Sequence, residues 1–230
     1  MIRPHAPLLA LLPALVLTAC EVVVPLAAPM VLVSEIPIDP LQIPRAPLPP
    51  AEREGAKVVL VIPADVRSAS VPVRPESGMR TVIVRAGAMV DQAVRTSLEG
   101  VLREGPWPGE LPAASPGADA IVKIEAVRLT YRDRRLRGEW KAGELIQTYE
   151  SRVTLAFDLQ VSDAAGRFVQ SRTYQDDDGR FVWTIPSEAS VPELKWLESH
   201  LHQTAGRLAQ QAAADLHRWL RAERTKLRSL

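Results

Sequence analysis

Between residues 153 and 161 every second side chain is apolar: Val153, Leu155, Phe157, Leu159 and Val161 alternate with Thr154, Ala156, Asp158 and Gln160. Successive side chains of a strand point to opposite faces, so this segment lays one face on a core and shows the other to water. A second layer has to cover the apolar face. The C-terminal region offers one, because Leu194, Leu197, Leu201, Ala205, Leu208, Ala212, Leu216 and Trp219 recur in steps of three and four, the spacing of a single helical stripe. Ser190-Val191-Pro192-Glu193 has the form of a capping box at its start, and the basic residues between 218 and 228 suit the negative end of its dipole. Such a stripe also serves a coiled coil, but docking across its own sheet is what a two-layer domain requires.

The rest of the chain fills in that plan. Val58, Val59, Leu60, Val61 and Ile62 form a β-branched apolar run ended by Pro63 and read as a buried strand. Residues 68–79 are rich in Ser, Pro and Gly and read as a loop, followed by a second short strand at Thr81-Val82-Ile83-Val84. Over 87–104 the apolar positions Met89, Val90, Val94, Leu98, Val101 and Leu102 predict a helix of about 17 residues. Residues 106–117 read as a loop holding Trp107. Residues 120–131 read as a long strand, and Ser162-Asp163-Ala164-Ala165-Gly166 as the turn of a hairpin whose return strand is 167–174. The sum is an α+β two-layer sandwich, with a mainly antiparallel sheet and a long C-terminal helix packed on one face.

Cysteine and proline set the boundaries. The chain has one cysteine, so no internal disulfide can form, and the fold stands on packing alone. A domain over 56–230 buries roughly 70% of its unfolded surface, enough to fold without staples. Prolines at 25, 29, 37, 40, 44, 47, 49 and 50 exclude a helix or a central strand over 20–55. That stretch is expected to be a stiff polyproline spacer, rising about 3.1 Å per residue. Its apolar part, 22–33, is also suited to lying on a membrane surface or on the domain itself.

At the other end of that spacer, Met1-Ile2-Arg3 precedes 14 uncharged residues from 6 to 19, a run shorter than the roughly 20 needed to span a bilayer. The run closes on Leu17-Thr18-Ala19-Cys20, which resembles a bacterial lipobox. The resemblance implies removal of residues 1–19 as a signal peptide and lipidation of Cys20, with the membrane as partner through that lipid. Glu21 takes the place of the aspartate that retains such proteins at the inner membrane, so the outer membrane, periplasmic face, is the implied location. The order of elements, with Ala118-Asp119-Ala120-Ile121-Val122 opening a long strand and Tyr149-Glu150-Ser151-Arg152 leading into the hairpin and Arg172-Thr173-Tyr174, resembles YajG-like outer-membrane lipoproteins. It is also similar to auxiliary lipoproteins of lipid-transport ABC systems. A long insertion at 176–192 departs from that pattern.

Chemistry is sparse. The chain has no His-Glu-x-x-His, Gly-x-Ser-x-Gly, Ser-x-x-Lys or phosphate-binding glycine loop, and His200, His202 and His217 lack the i,i+4 spacing of a metal pair. No catalysis, cofactor or metal is expected. Charge is balanced, 28 Lys plus Arg against 27 Asp plus Glu, which argues against nucleic acid as a partner. Arg132, Arg134, Arg135 and Arg137, beside Trp140, are expected in a connection between strands, either a solvated loop balanced by Asp133, Glu139 and Glu144 or a patch suited to an acidic protein or anionic lipid. Asp176-Asp177-Asp178-Gly179 reads as a turn. An accessory or scaffold lipoprotein of the cell envelope with a protein partner is the leading expectation. The alternative is a transport auxiliary holding a hydrophobic ligand between sheet and helix, and an envelope hydrolase ranks below both.

Overall fold

The alternating segment lies in a five-stranded sheet and faces the C-terminal helix. The structure, a computed structural model, describes residues 32–74, 80–109, 117–186 and 191–228. In chain order the elements are β1 (Leu32–Glu35), a single 3-10 turn (Pro50–Glu52), β2 (Val58–Val61), α1 (Ala64–Arg67), β3 (Val71–Val73) and β4 (Arg80–Val84). They continue with α2 (Ala86–Val101), β5 (Trp107–Gly109), β6 (Ala120–Lys141), β7 (Glu144–Asp163), β8 (Phe168–Pro186) and α3 (Val191–Arg228). The lipobox, the capping-box serine and most of the loop at 106–117 lie outside the described residues.

The class is α+β, in two layers. The larger sheet runs β5-β2-β6-β7-β8, antiparallel through β6, β7 and β8 and parallel where β2 meets β5 and β6. Against it lie α2 and α3. Val153, Leu155, Phe157, Leu159 and Val161 are all at most 5% exposed, and they share one core with Leu197, Leu201, Ala205, Leu208, Ala212 and Leu216. Phe157 stacks on Tyr174 with centroids 5.3 Å apart. The sheet–helix interface is filled by these side chains.

The strand at 81–84 belongs to a separate sheet of order β1-β4-β3. Its outer strands are ones the sequence reading missed. β3 contains Pro72 and sits at an edge, where a missing N–H costs no ladder bond. β1 pairs in parallel with β4, from Leu32 opposite Arg80 to Glu35 opposite Ile83, in the proline-free interval between Pro29 and Pro37.

From Leu32 onward the proline-rich stretch is therefore a strap on the folded body rather than a free spacer. Ile36 and Ile43 enter the core at 4% and 2% exposure. The backbone N–H of Asp39 donates to His202 Nε2 at 3.0 Å, and Gln210 Nε2 donates to the Pro44 carbonyl at 2.8 Å. A Cβ on Gly206 would stand 2.4 Å from Pro44 Cδ, so α3 can carry only glycine where the strap crosses it. Glu54, 6% exposed, pins the far end through Arg221 at 3.0 Å and Arg224 at 2.8 Å. Its own N–H donates to Val101 O, and its carbonyl accepts from the Arg103 N–H.

Candidate functional site

The four arginines expected in a connection are inside a strand. β6 runs unbroken to Lys141 and turns through Ala142 and Gly143, whose φ values of 53° and 85° make the two-residue hairpin matched to strand twist. β7 and β8 are likewise longer than the apolar alternation suggests. The presumed insertion at 176–192 is, through Pro186, the second half of β8, and Asp176 to Gly179 mark a register irregularity rather than a turn. Asp176 is paired with Arg207 of α3.

These extensions build an antiparallel arm that is wet on both faces at its tip, because no residue from 130 to 147 is buried. Register decides which arginines meet. Arg132, Arg152 and Arg180 stand opposite one another across the three strands, and Arg134 stands opposite Glu150. Arg137 is aligned with Thr148, on the same face as Glu150, after an irregularity at Leu136. Arg135 is aligned with Tyr149 and belongs to the opposite face, so it does not join the group. Trp140 is 75% exposed beside the turn, with Leu136 and Val182 exposed at 41% and 49%. Trp183 is aligned with Tyr149, and its side chain lies outside the description.

Glu150 is the centre of this face. It is 3% exposed and accepts from Arg152 Nε at 2.5 Å, from Arg180 Nη2 at 3.2 Å and from Arg134 Nη2 at 3.4 Å. The Arg152 hydrogen bond is the main cause that holds its carboxyl below the usual carboxylate range, against desolvation, with Arg180 and Arg134 adding to it. Since the folded value is depressed, the stabilisation is present above the unfolded carboxylate range and is lost as pH falls through the depressed value. Nearer the helices, Arg128 grips Asp158 in a fork at 2.6 and 2.7 Å, and Thr173 adds a third bond at 2.7 Å. Arg137 pairs with Glu139 at 3.1 Å, which leaves Arg132 and the outer guanidinium edges of Arg134, Arg152 and Arg180 to give the face a positive field.

Alternation could have found Arg152 and Glu150, since the period of two extends upstream of Val153 through Ser151 and Tyr149. Arg180 was hidden by the reading of 176–179 as a turn. On the inner face the arm is braced at its root. Phe181 stacks on Trp196 at 4.9 Å, Trp196 stacks on His200 at 5.1 Å, and Tyr131 donates to Ser151 Oγ at 3.2 Å. Among the described residues no group of His, Cys, Asp and Glu side chains could hold a metal ion, and no helix is long and apolar enough to cross a membrane.

No family model and no curated protein matches the chain. Solved structures similar to it include a Xanthomonas campestris protein of DUF330, 15% identical over 84% of this chain and 99% of that one, with a TM-score of 0.46. A minor lipoprotein from Acinetobacter baumannii is 16% identical over 74% of this chain and 95% of its own, with a TM-score of 0.32. A neuraminyllactose-binding hemagglutinin homolog from Helicobacter pylori is 11% identical over 75% and 92%, with a TM-score of 0.41. Likeness at this level assigns neither family nor activity.

Proposed function

We propose that this chain is a lipid-anchored accessory protein of the bacterial envelope. On this reading Cys20 holds it to the periplasmic face of the outer membrane, and the β6-β7-β8 arm contacts an acidic surface of an envelope protein. The observation that carries the reading is the arm itself, a row of arginines across three strands on the Glu150 face, with Trp140 exposed beside the turn on the other face. Arginine and tryptophan are the side chains that most often dominate protein interfaces, and a positive face steers and orients an acidic partner. The filled core between β7 and α3 favours a partner at the surface over a ligand held between the layers.

A photo-crosslinking residue at Trp140, with the same residue at Leu41 on the strap as control, tests the reading in intact cells. The expected result is a discrete protein adduct from position 140, reduced at least fivefold by Arg132→Glu with Arg137→Glu and absent from position 41. No adduct from 140, or the same adduct from both positions, contradicts it.

A further inference from the structure

Away from the arm, the strap, α2 and α3 enclose a cleft of about 490 Å³. That volume lies within the roughly 300–1,000 Å³ of small-molecule sites. One wall is the strap at Ala46, Pro47 and Leu48. The others are α2 around Ser97 and Val101, and α3 around Ala213 and Ala214. Most of this lining is apolar and small.

The polar groups on the cleft are mainly donors. Ser97 is 8% exposed, and its Oγ has no hydrogen-bond partner among the described residues. A buried hydroxyl left unpaired costs about 1–3 kcal/mol, so the wall lacks an acceptor that a bound molecule would bring. Arg45 also lines the cleft, exposed and without an ion pair to any described residue. Arg218 lines it too and shares the single carboxylate of Asp215 with Arg172, which leaves net positive charge there. Thr96, His217 and Gln210 complete the polar set, with Glu99 as the one acid on the lining.

We infer that this cleft binds a single acyl chain bearing an anionic head, the chain lying against the strap and the alanines of α3 and the head neutralised by Arg45 and Arg218. Free fatty acid and lysophospholipid share that chemistry. The site shares no residue with the arm, so it stands or falls independently of the proposed partner contact.

Isolated membranes containing the full chain are exposed to a photoreactive, alkyne-bearing palmitate analogue, and the adducts are mapped by peptide mass spectrometry. Labelling is expected in peptides holding 45–48, 96–101 and 210–218. Excess palmitate or 1-palmitoyl lysophosphatidylglycerol should compete, and the stronger competitor identifies the source. Ala214 is exposed on the cleft, so Ala214→Trp fills it from outside and should lower labelling at least fivefold with an unchanged melting curve. Arg45→Ala should weaken labelling by the carboxylate analogue several-fold while sparing the corresponding alcohol. Labelling scattered over the surface, labelling unchanged in Ala214→Trp, or failure of both competitors overturns the inference.

Discussion

His202→Leu lowers the melting temperature by roughly 4–8 °C and opens the strap to proteolysis. The imidazole is 0% exposed and both nitrogens are committed: Nδ1 lies 2.8 Å from Glu198 O and donates, while Nε2 accepts the Asp39 N–H. Leucine fills much of the volume but leaves that N–H buried without an acceptor. The cost is about 2 kcal/mol, and 1 kcal/mol moves the midpoint by about 2–4 °C in a chain of this size. The local effect is the diagnostic one. Hydrogen exchange should accelerate over 36–48, next to the lost bond, more than in β7. His202→Gln, whose amide oxygen can accept the same N–H, should recover part of the loss. A strap that exchanges as slowly in His202→Leu as in the parent would show that His202 does not hold it.

The second large effect is expected at Gly179. Replacing a strand glycine by alanine ordinarily gains about 0.5–1 kcal/mol, because glycine loses more freedom on folding. Here the sign reverses. A Cβ on Gly179 would lie 2.4 Å from Val153 O, 2.5 Å from His200 Nε2 and 2.6 Å from Val153 Cγ1. Two of those contacts belong to β7, an interior strand paired on both sides that cannot yield without breaking its ladders, so Gly179→Ala should cost about 3 kcal/mol. Thermal unfolding followed by circular dichroism measures it, and a gain in stability would contradict the close packing of β8 on β7 and α3. His200 adds a pH signature. Burial pushes its pKa down, with Asp176 opposing and Arg207 assisting the shift. A depressed histidine leaves stability full above the unfolded value near 6.5, and stability declines as pH falls from there towards the folded value. Gly179→Ala, by dislodging the ring, should flatten that decline.

Legibility in the sequence followed apolar periodicity. The core face of β7, the stripe of α3, most of α2, the run of β2 and the hairpin at 163–168 were all readable, because each buries one side and leaves the other wet. α2 stops at Val101, short of the expected 104, where Leu102 turns to extended backbone. The arm was not readable, since between 130 and 147 neither face is buried and no alternation of hydrophobicity can mark it. Its arginines therefore looked like a loop. β1 and β3 escaped for a different reason: both are short edge strands of four and three residues specified by β4 at long range, too short to show a period, with Pro72 inside β3 and prolines on both sides of β1. The docking of the strap depends on Ile36 and Ile43, two residues in an otherwise spacer-like composition, and on the buried His202 of α3.

The most direct test of the proposed lipid anchor is the chemistry of Cys20 itself. Protein purified from its native host should begin at Cys20, carry fatty acyl mass at that residue and incorporate labelled palmitate. Cys20→Ala should remove the label and release the chain from the membrane fraction. An intact mass that retains residues 1–19 with no acyl adduct would contradict the account.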